Sequence, residues 1–178
     1  MKKTILFAAA LALAVVPYAS AQTITPATVD FSWGALHLSS GQAVVVNFLL
    51  NDHGPALALP VEFELDDKNG NTLFRQTVMV PAGRVVSLAI ALGDKNTAAL
   101  LPAVIPSDLY AIIDPNERKT IDPNIHTVTP CVKVALPAGP IQPVLDRLTP
   151  TLEVMDISTG RGVSFANNPH AIIAVLIG

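Results

Sequence analysis

The sequence predicts an all-β protein, an antiparallel β-sandwich of about eight or nine strands behind an N-terminal leader. Three observations carry that reading. Val61-Glu62-Phe63-Glu64-Leu65-Asp66 alternates apolar and acidic residues without a fault, the period of a strand with one buried face. Turn chemistry recurs at Asn51-Asp52-His53-Gly54-Pro55, at Asp67-Lys68-Asn69-Gly70-Asn71 and at Pro81-Ala82-Gly83. No sustained amphipathic helix occurs, so the reading contains no βαβ unit and no parallel sheet.

The elements follow in order. Met1-Lys2-Lys3, an apolar run over residues 4–16 and the small-residue end Ala19-Ser20-Ala21 predict a signal peptide over residues 1–21. The run is short for a membrane span, which takes about 20 residues. The mature chain, 22–178, is then one domain, secreted or periplasmic, and the short Lys-Lys start suits a bacterial export signal. Residues 22–26 form a tail. Residues 28–33 make a first strand with Val29, Phe31 and Trp33 on one face. Residues 42–92 read as four consecutive strands of one antiparallel unit with a wet face. Their apolar faces are Val44, Val46, Phe48 and Leu50; Val61, Phe63 and Leu65; Phe74, Val78 and Val80; and Val86, Leu88, Ile90 and Leu92. Asp94 or Asn96 caps a single helical turn through 97–101.

From Pro102 to Pro150 there are nine prolines, which exclude regular helix over most of the stretch. Strands are expected at 109–113 and at 127–136, the second with Val128, Val132, Val134 and Leu136 on one face and Thr127, Thr129, Cys131 and Lys133 on the other. Residues 114–124 are a polar loop. The connection 137–150 is long enough to suggest function, with a helical turn at 144–148. A strand at 151–157 turns Leu152 and Val154 inward, and 158–162 is a hairpin turn leading to 163–165. The run 170–177 closes the chain. From Ala171 to Ile177 it carries no polar side chain, so it must be covered, either inside this domain's own sheet or by adding to a neighbour.

Composition bounds the chemistry. Half the chain (51%) is hydrophobic and 14% is charged, far from disordered composition despite 15 prolines. Without Lys2 and Lys3, nine basic residues face fourteen acidic ones, a formal charge of −5. That balance has no footprint for nucleic acid or an anionic membrane, and no transmembrane span is expected in the mature chain. Cys131 is the single cysteine, so no intramolecular disulfide is available. It packs as a small hydrophobe, or serves as an intermolecular disulfide or a reactive thiol.

Catalytic motifs are absent. No Gly-x-Ser-x-Gly and no His-Glu-x-x-His occurs, and His37, His53, His126 and His170 are scattered. No catalytic residue and no cofactor is assigned. Asp66, Asp67, Asn69 and Asn71 are calcium candidates on a tight loop, set against the plain hairpin-turn reading of the same residues, and Asp114-Pro115-Asn116-Glu117 is a poorer second. Glu62 and Glu64 share a strand face, roughly 7 Å apart by strand rise, with Arg75 and Arg84 as cross-sheet partners. Trp33 is read as a core or rim aromatic, since aromatics are only 5% of the chain.

The strand and turn pattern resembles the immunoglobulin-like β-sandwich modules of exported bacterial proteins. The antibody-type Cys…Trp…Cys signature is missing, so no functional residue carries over. The resemblance implies adhesion, assembly or binding, with a protein partner or self-association through sheet edges. The expected role is non-enzymatic: structural, cell-surface or binding. The alternative is a small exported hydrolase or carbohydrate-binding accessory protein using the 137–150 face.

Overall fold

The computed structural model describes residues 27–54, 57–114, 127–139, 142–166 and 169–175. The leader 1–21, the tail 22–26, the loop beyond Asp114 with Pro115, Asn116 and Glu117, His126 and the last residues 176–178 lie outside the described residues.

Eleven strands and two helices occur among the described residues. Strand β1 (Ala27–Ser32) buries Ala27, Val29 and Phe31 and leaves Thr28, Asp30 and Ser32 half-buried, as alternation requires. A short β2 (Leu36–His37) follows, then β3 (Gln42–Leu50), β4 (Ala58–Asp67), β5 (Thr72–Pro81) and β6 (Val85–Leu92). After these come helix α1 (Lys95–Val104), β7 (Leu109–Ile113), β8 (Thr127–Ala135), the short α2 (Gln142–Leu145), β9 (Leu148–Asp156), β10 (Arg161–Ala166) and β11 (His170–Val175).

The strands make two sheets. One runs β11-β1-β8-β4-β5, with β2 also on β8; the other runs β10-β9-β3-β6-β7. The main core lies between them: Val29, Val61, Phe63, Val132 and Val134 from the first sheet meet Val46, Phe48, Leu88, Ile90 and Leu152 from the second. Phe48 and Phe63 are fully buried. Each such side chain contributes about 1.5–3 kcal/mol by leaving water.

Five expectations need correction, the last of them at β11. First, residues 42–92 are not one sheet unit. The hairpin β4–β5 belongs to the first sheet, whereas β3 and β6 pair in the second. The chain therefore passes between sheets from β3 to β4 and from β5 to β6, and alternation alone does not reveal a crossing. Secondly, a βαβ unit is present, because β6 and β7 are parallel and α1 makes the crossover. Strand β6 is buried on both faces from Val86 onward. Ala89 and Ala91 on its outer face join Ala43, Val45, Leu101, Ile105 and Ile157 in a second core. Thirdly, α1 extends to Val104 and includes Pro102. The helix stops two residues after it. Asp94 is its cap, accepting the Asn96 and Thr97 N–H groups, while Asn96 sits inside the helix. Gly93 permits this junction, because a Cβ there would lie 2.0 Å from Thr97 Oγ1. Fourthly, α2 covers Gln142–Leu145 rather than 144–148, since Leu148 already pairs with Leu50 in β9.

The predicted β8 is confirmed with its faces. Val128, Val132, Val134 and Leu136 are buried, and Thr127, Thr129, Cys131 and Lys133 are half-buried. Pro130 stands inside this central strand at a tolerated position. Its carbonyl accepts Trp33 N–H, so its missing N–H faces the same side, where β1 has ended and β2 has yet to begin. Trp33 is half-buried against the core.

Strand β11 lies within the domain's own sheet, but at its edge. It pairs in six registered positions with β1, from Ala27↔Val175 to Ser32↔His170, and has no second strand partner among the described residues. An interior position for this strand is thereby corrected.

Candidate functional site

The sequence candidates fall in three places. The calcium candidates sit at the β4–β5 hairpin, where Asp67 closes the turn. Its Oδ1 accepts the N–H groups of Asn69 and Asn71, both at 2.8 Å, and its Oδ2 accepts Asn71 Nδ2 at 2.8 Å. Burial raises the Asp67 pKa, but these bonds outweigh it and hold the carboxyl below its usual range. The carboxylate is thus engaged by its own turn, and Gly70 supplies the positive φ of 80° that the turn needs. Asp66 is the neighbouring strand position, at a register shift opposite Thr72, so strand alternation turns it to the opposite face from Asp67. Among the described residues no group of three His, Cys, Asp or Glu side chains is arranged to hold a metal.

The second place is the outer face of the first sheet. Glu64 was expected in water, yet it is 3% exposed. It accepts hydrogen bonds from Arg75 Nη2, from Lys133 Nζ and, at 3.1 Å, from Thr72 Oγ1. Glu62 lies 3.7 Å from Arg75 Nε and 3.9 Å from Lys133 Nζ. The two glutamates are thus bound up in an ion-pair network. Arg84 does not join it; leading into β6 of the other sheet, it pairs with Asp108 at 3.1 Å. Cys131 lies half-buried on this face, opposite Ser32 and Glu64. Burial raises its thiol pKa, and nearby Asp30 and Asp66 add to that against a Ser32 hydrogen bond. Burial also raises the Asp30 pKa, opposed by Lys133.

The third place is the 137–150 connection, where the structure builds a cavity of about 350 Å³. Leu57, Pro137, Ala138, Pro143 and Val144 give it apolar walls. Arg147 and His53 are its charged and titratable members. Two segments far apart in sequence form it, and a reciprocal clasp joins them. Asn51 donates its N–H (2.9 Å) and its Nδ2 (3.1 Å) to the Arg147 carbonyl, and Arg147 Nε donates back to the Asn51 carbonyl at 2.9 Å. Asn51 Nδ2 also reaches Thr149 Oγ1 at 3.0 Å. Arg147 is consequently 6% exposed, an uncommon burial for an arginine. His53 and Asp52 stand 4.0 Å apart at the rim, with side chains 89% and 77% exposed. Sequence reasoning marked this connection but missed Asn51 and Arg147, whose partnership spans 96 residues.

The four sheet edges differ in what guards them. Edge β5 carries Arg75 and ends in Pro81, with a register shift opposite Leu65 and Asp66. Edge β10 opens on Arg161 and has a register shift between Gly162 and Ser164. Edge β7 is five residues long and flanked by Asp108 and Asp114, the former accepting Ser87 N–H at 3.0 Å. Edge β11 carries no charge and no proline over His170–Val175 and no register shift against β1.

No family model matches the chain, and neither does any curated protein or solved structure. No helix among the described residues is long and apolar enough to cross a membrane.

Proposed function

We propose that this is an exported, non-enzymatic β-sandwich protein with a structural or binding role at the cell surface, acting through strand addition at β11. The observation that carries the reading is the unguarded β11 edge. An edge strand presents alternate N–H and C=O groups outward, and native edges blunt this template with charges, prolines or bulges. The other long edges here have such devices within the strand; β11, preceded by Pro169 and opening on His170, has none over Ala171–Val175. A second copy is the occupant proposed. Two β11 strands meeting antiparallel about a two-fold axis satisfy each other's outward groups, and two uncharged edges do not repel. The likeness to immunoglobulin-like modules belongs to the same reading.

A hydrolase reading draws less support. The cavity at the 137–150 end has apolar walls, and its one histidine is a solvated rim residue.

Light scattering on the chain from Gln22 onward tests the proposal. The expected result is a mass that rises from monomer to dimer with concentration, with and without reductant. Ile172→Lys, which puts a charge on the edge, should return the protein to monomer with an unchanged melting temperature. A monomer at every soluble concentration would refute the reading.

A further inference from the structure

The backbone of β1 fixes which groups of β11 are open to a second copy. The Ala27 carbonyl accepts the N–H of Leu136, which follows β8, and the Pro130 carbonyl in β8 accepts the N–H of Trp33, which follows β1. In an antiparallel strand a residue turns its N–H and C=O to one side, and successive residues alternate. Ala27, Val29 and Phe31 therefore bond towards β8, and Thr28, Asp30 and Ser32 towards β11. The register partners of those last three are Ala174, Ile172 and His170. These positions of β11 are satisfied by β1. Ala171, Ile173 and Val175 are then the ones that turn their N–H and C=O groups outward.

Pro169 falls in the same outward series and has no N–H to donate. The outward donors thus begin at Ala171 and are spaced evenly about Ile173. With a two-fold axis at Ile173, Ala171 faces Val175 of the second copy and Ile173 faces its own counterpart. Every outward group from Ala171 to Val175 is then paired. With the axis at Ile172, Val175 would face Pro169 and its carbonyl would lack a donor. With the axis at Ala174, Ala171 would have no partner within β11. Resting on the strand addition proposed for this edge, we infer that the second copy docks its β11 antiparallel with the two-fold axis at Ile173. That register sets Ile172 opposite Ala174 of the second copy.

Disulfide trapping of the full exported chain in a Cys131→Ser background tests this. Position 172 and position 174 of the second copy form a non-hydrogen-bonded pair, with Cα atoms about 4.5 Å apart. A disulfide spans about 4.4–6.8 Å. Like positions, 172 with 172 or 174 with 174, are diagonal neighbours about 7–8 Å apart and out of reach. Ile172→Cys and Ala174→Cys proteins, mixed and exposed to a mild oxidant, should give a reducible dimer, and neither should do so alone. A trapped dimer from Ile172→Cys alone would move the axis to Ile172, and one from Ala174→Cys alone would move it to Ala174. Either result overturns the register and leaves self-association at β11 standing, as does a dimer in light scattering that no sample traps. A monomer at every concentration overturns strand addition and this register together. The unmodified protein supplies a check free of variants: in a mixture of isotope-labelled and unlabelled copies, an intermolecular Overhauser contact is expected between the Hα atoms of Ile172 and Ala174. Its absence from a dimeric sample would overturn the register.

Discussion

Glu64 offers the sharpest test of the packing described above. Glu64→Gln removes a carboxylate that is 3% exposed and accepts from Lys133, Arg75 and Thr72. A hydrogen bond to a charged group contributes about 1.5–3 kcal/mol net. Its partners are not equally sheltered, since Lys133 is 32% exposed and Arg75 53% exposed. Solvent screening reduces the Arg75 share to under about 1 kcal/mol. Lys133, which retains Glu62 only at 3.9 Å, carries most of the rest. The expected loss is about 2 kcal/mol, which moves a urea midpoint by about 1 M at an m-value of about 2 kcal/mol/M. Lys133→Met and the double variant complete a cycle by urea denaturation. A coupling of about 1–2 kcal/mol is expected between Glu64 and Lys133. A coupling within the scatter of about 0.5 kcal/mol seen for independent sites would show that Glu64 lies in water as an ordinary surface residue, and the account of this face would fail.

Phe63→Ala opens a cavity between the two sheets and should cost about 3–5 kcal/mol in denaturant melts; a loss under about 1 kcal/mol would place Phe63 outside the core. Asp67 has a depressed pKa in the folded state, so its contribution is complete above the ordinary carboxylate range and disappears as pH falls through the depressed value. Asp67→Ala should therefore destabilise by about 2 kcal/mol at neutral pH and by much less in strong acid, and a penalty independent of pH would contradict the turn's hydrogen bonding. Burial keeps the Cys131 thiol protonated, so a thiol reagent should label the native protein at least about tenfold more slowly than the unfolded chain; equal rates would show an open, reactive cysteine.

The buried faces were legible in the sequence because strand alternation is local. Val61, Phe63 and Leu65 are buried as the period requires, and so are Val128, Val132 and Val134. The assignment of strands to sheets was not legible, since a crossing turn and a hairpin turn use the same residues. The parallel β6–β7 pair left one readable trace. Val86–Leu92 is almost continuously apolar, the mark of a strand covered on both faces, although its even positions alone also satisfy simple alternation. Proline rules also cut α1 short, because a proline in the last turn shortens a helix without abolishing it. Glu64 was misplaced for a different reason. An acidic residue on the outer face reads as solvated; Arg75 is legible as its cross-sheet partner, but Lys133 comes beside it only through the β4–β8 register, which closes the face over the carboxylate. The Asn51–Arg147 clasp joins two segments 96 residues apart, a relation that no local pattern encodes.

Hydrogen exchange at the β11 amides, followed against protein concentration, tests the role of this edge most directly. In an edge strand alternate N–H groups bond inward, here to β1, and the others face out. The account predicts that the inward set of residues 170–175 is protected at all concentrations. The outward set should exchange rapidly in dilute solution and become protected as copies pair. Outward amides that stay unprotected at every concentration would contradict strand addition at β11 by a second copy.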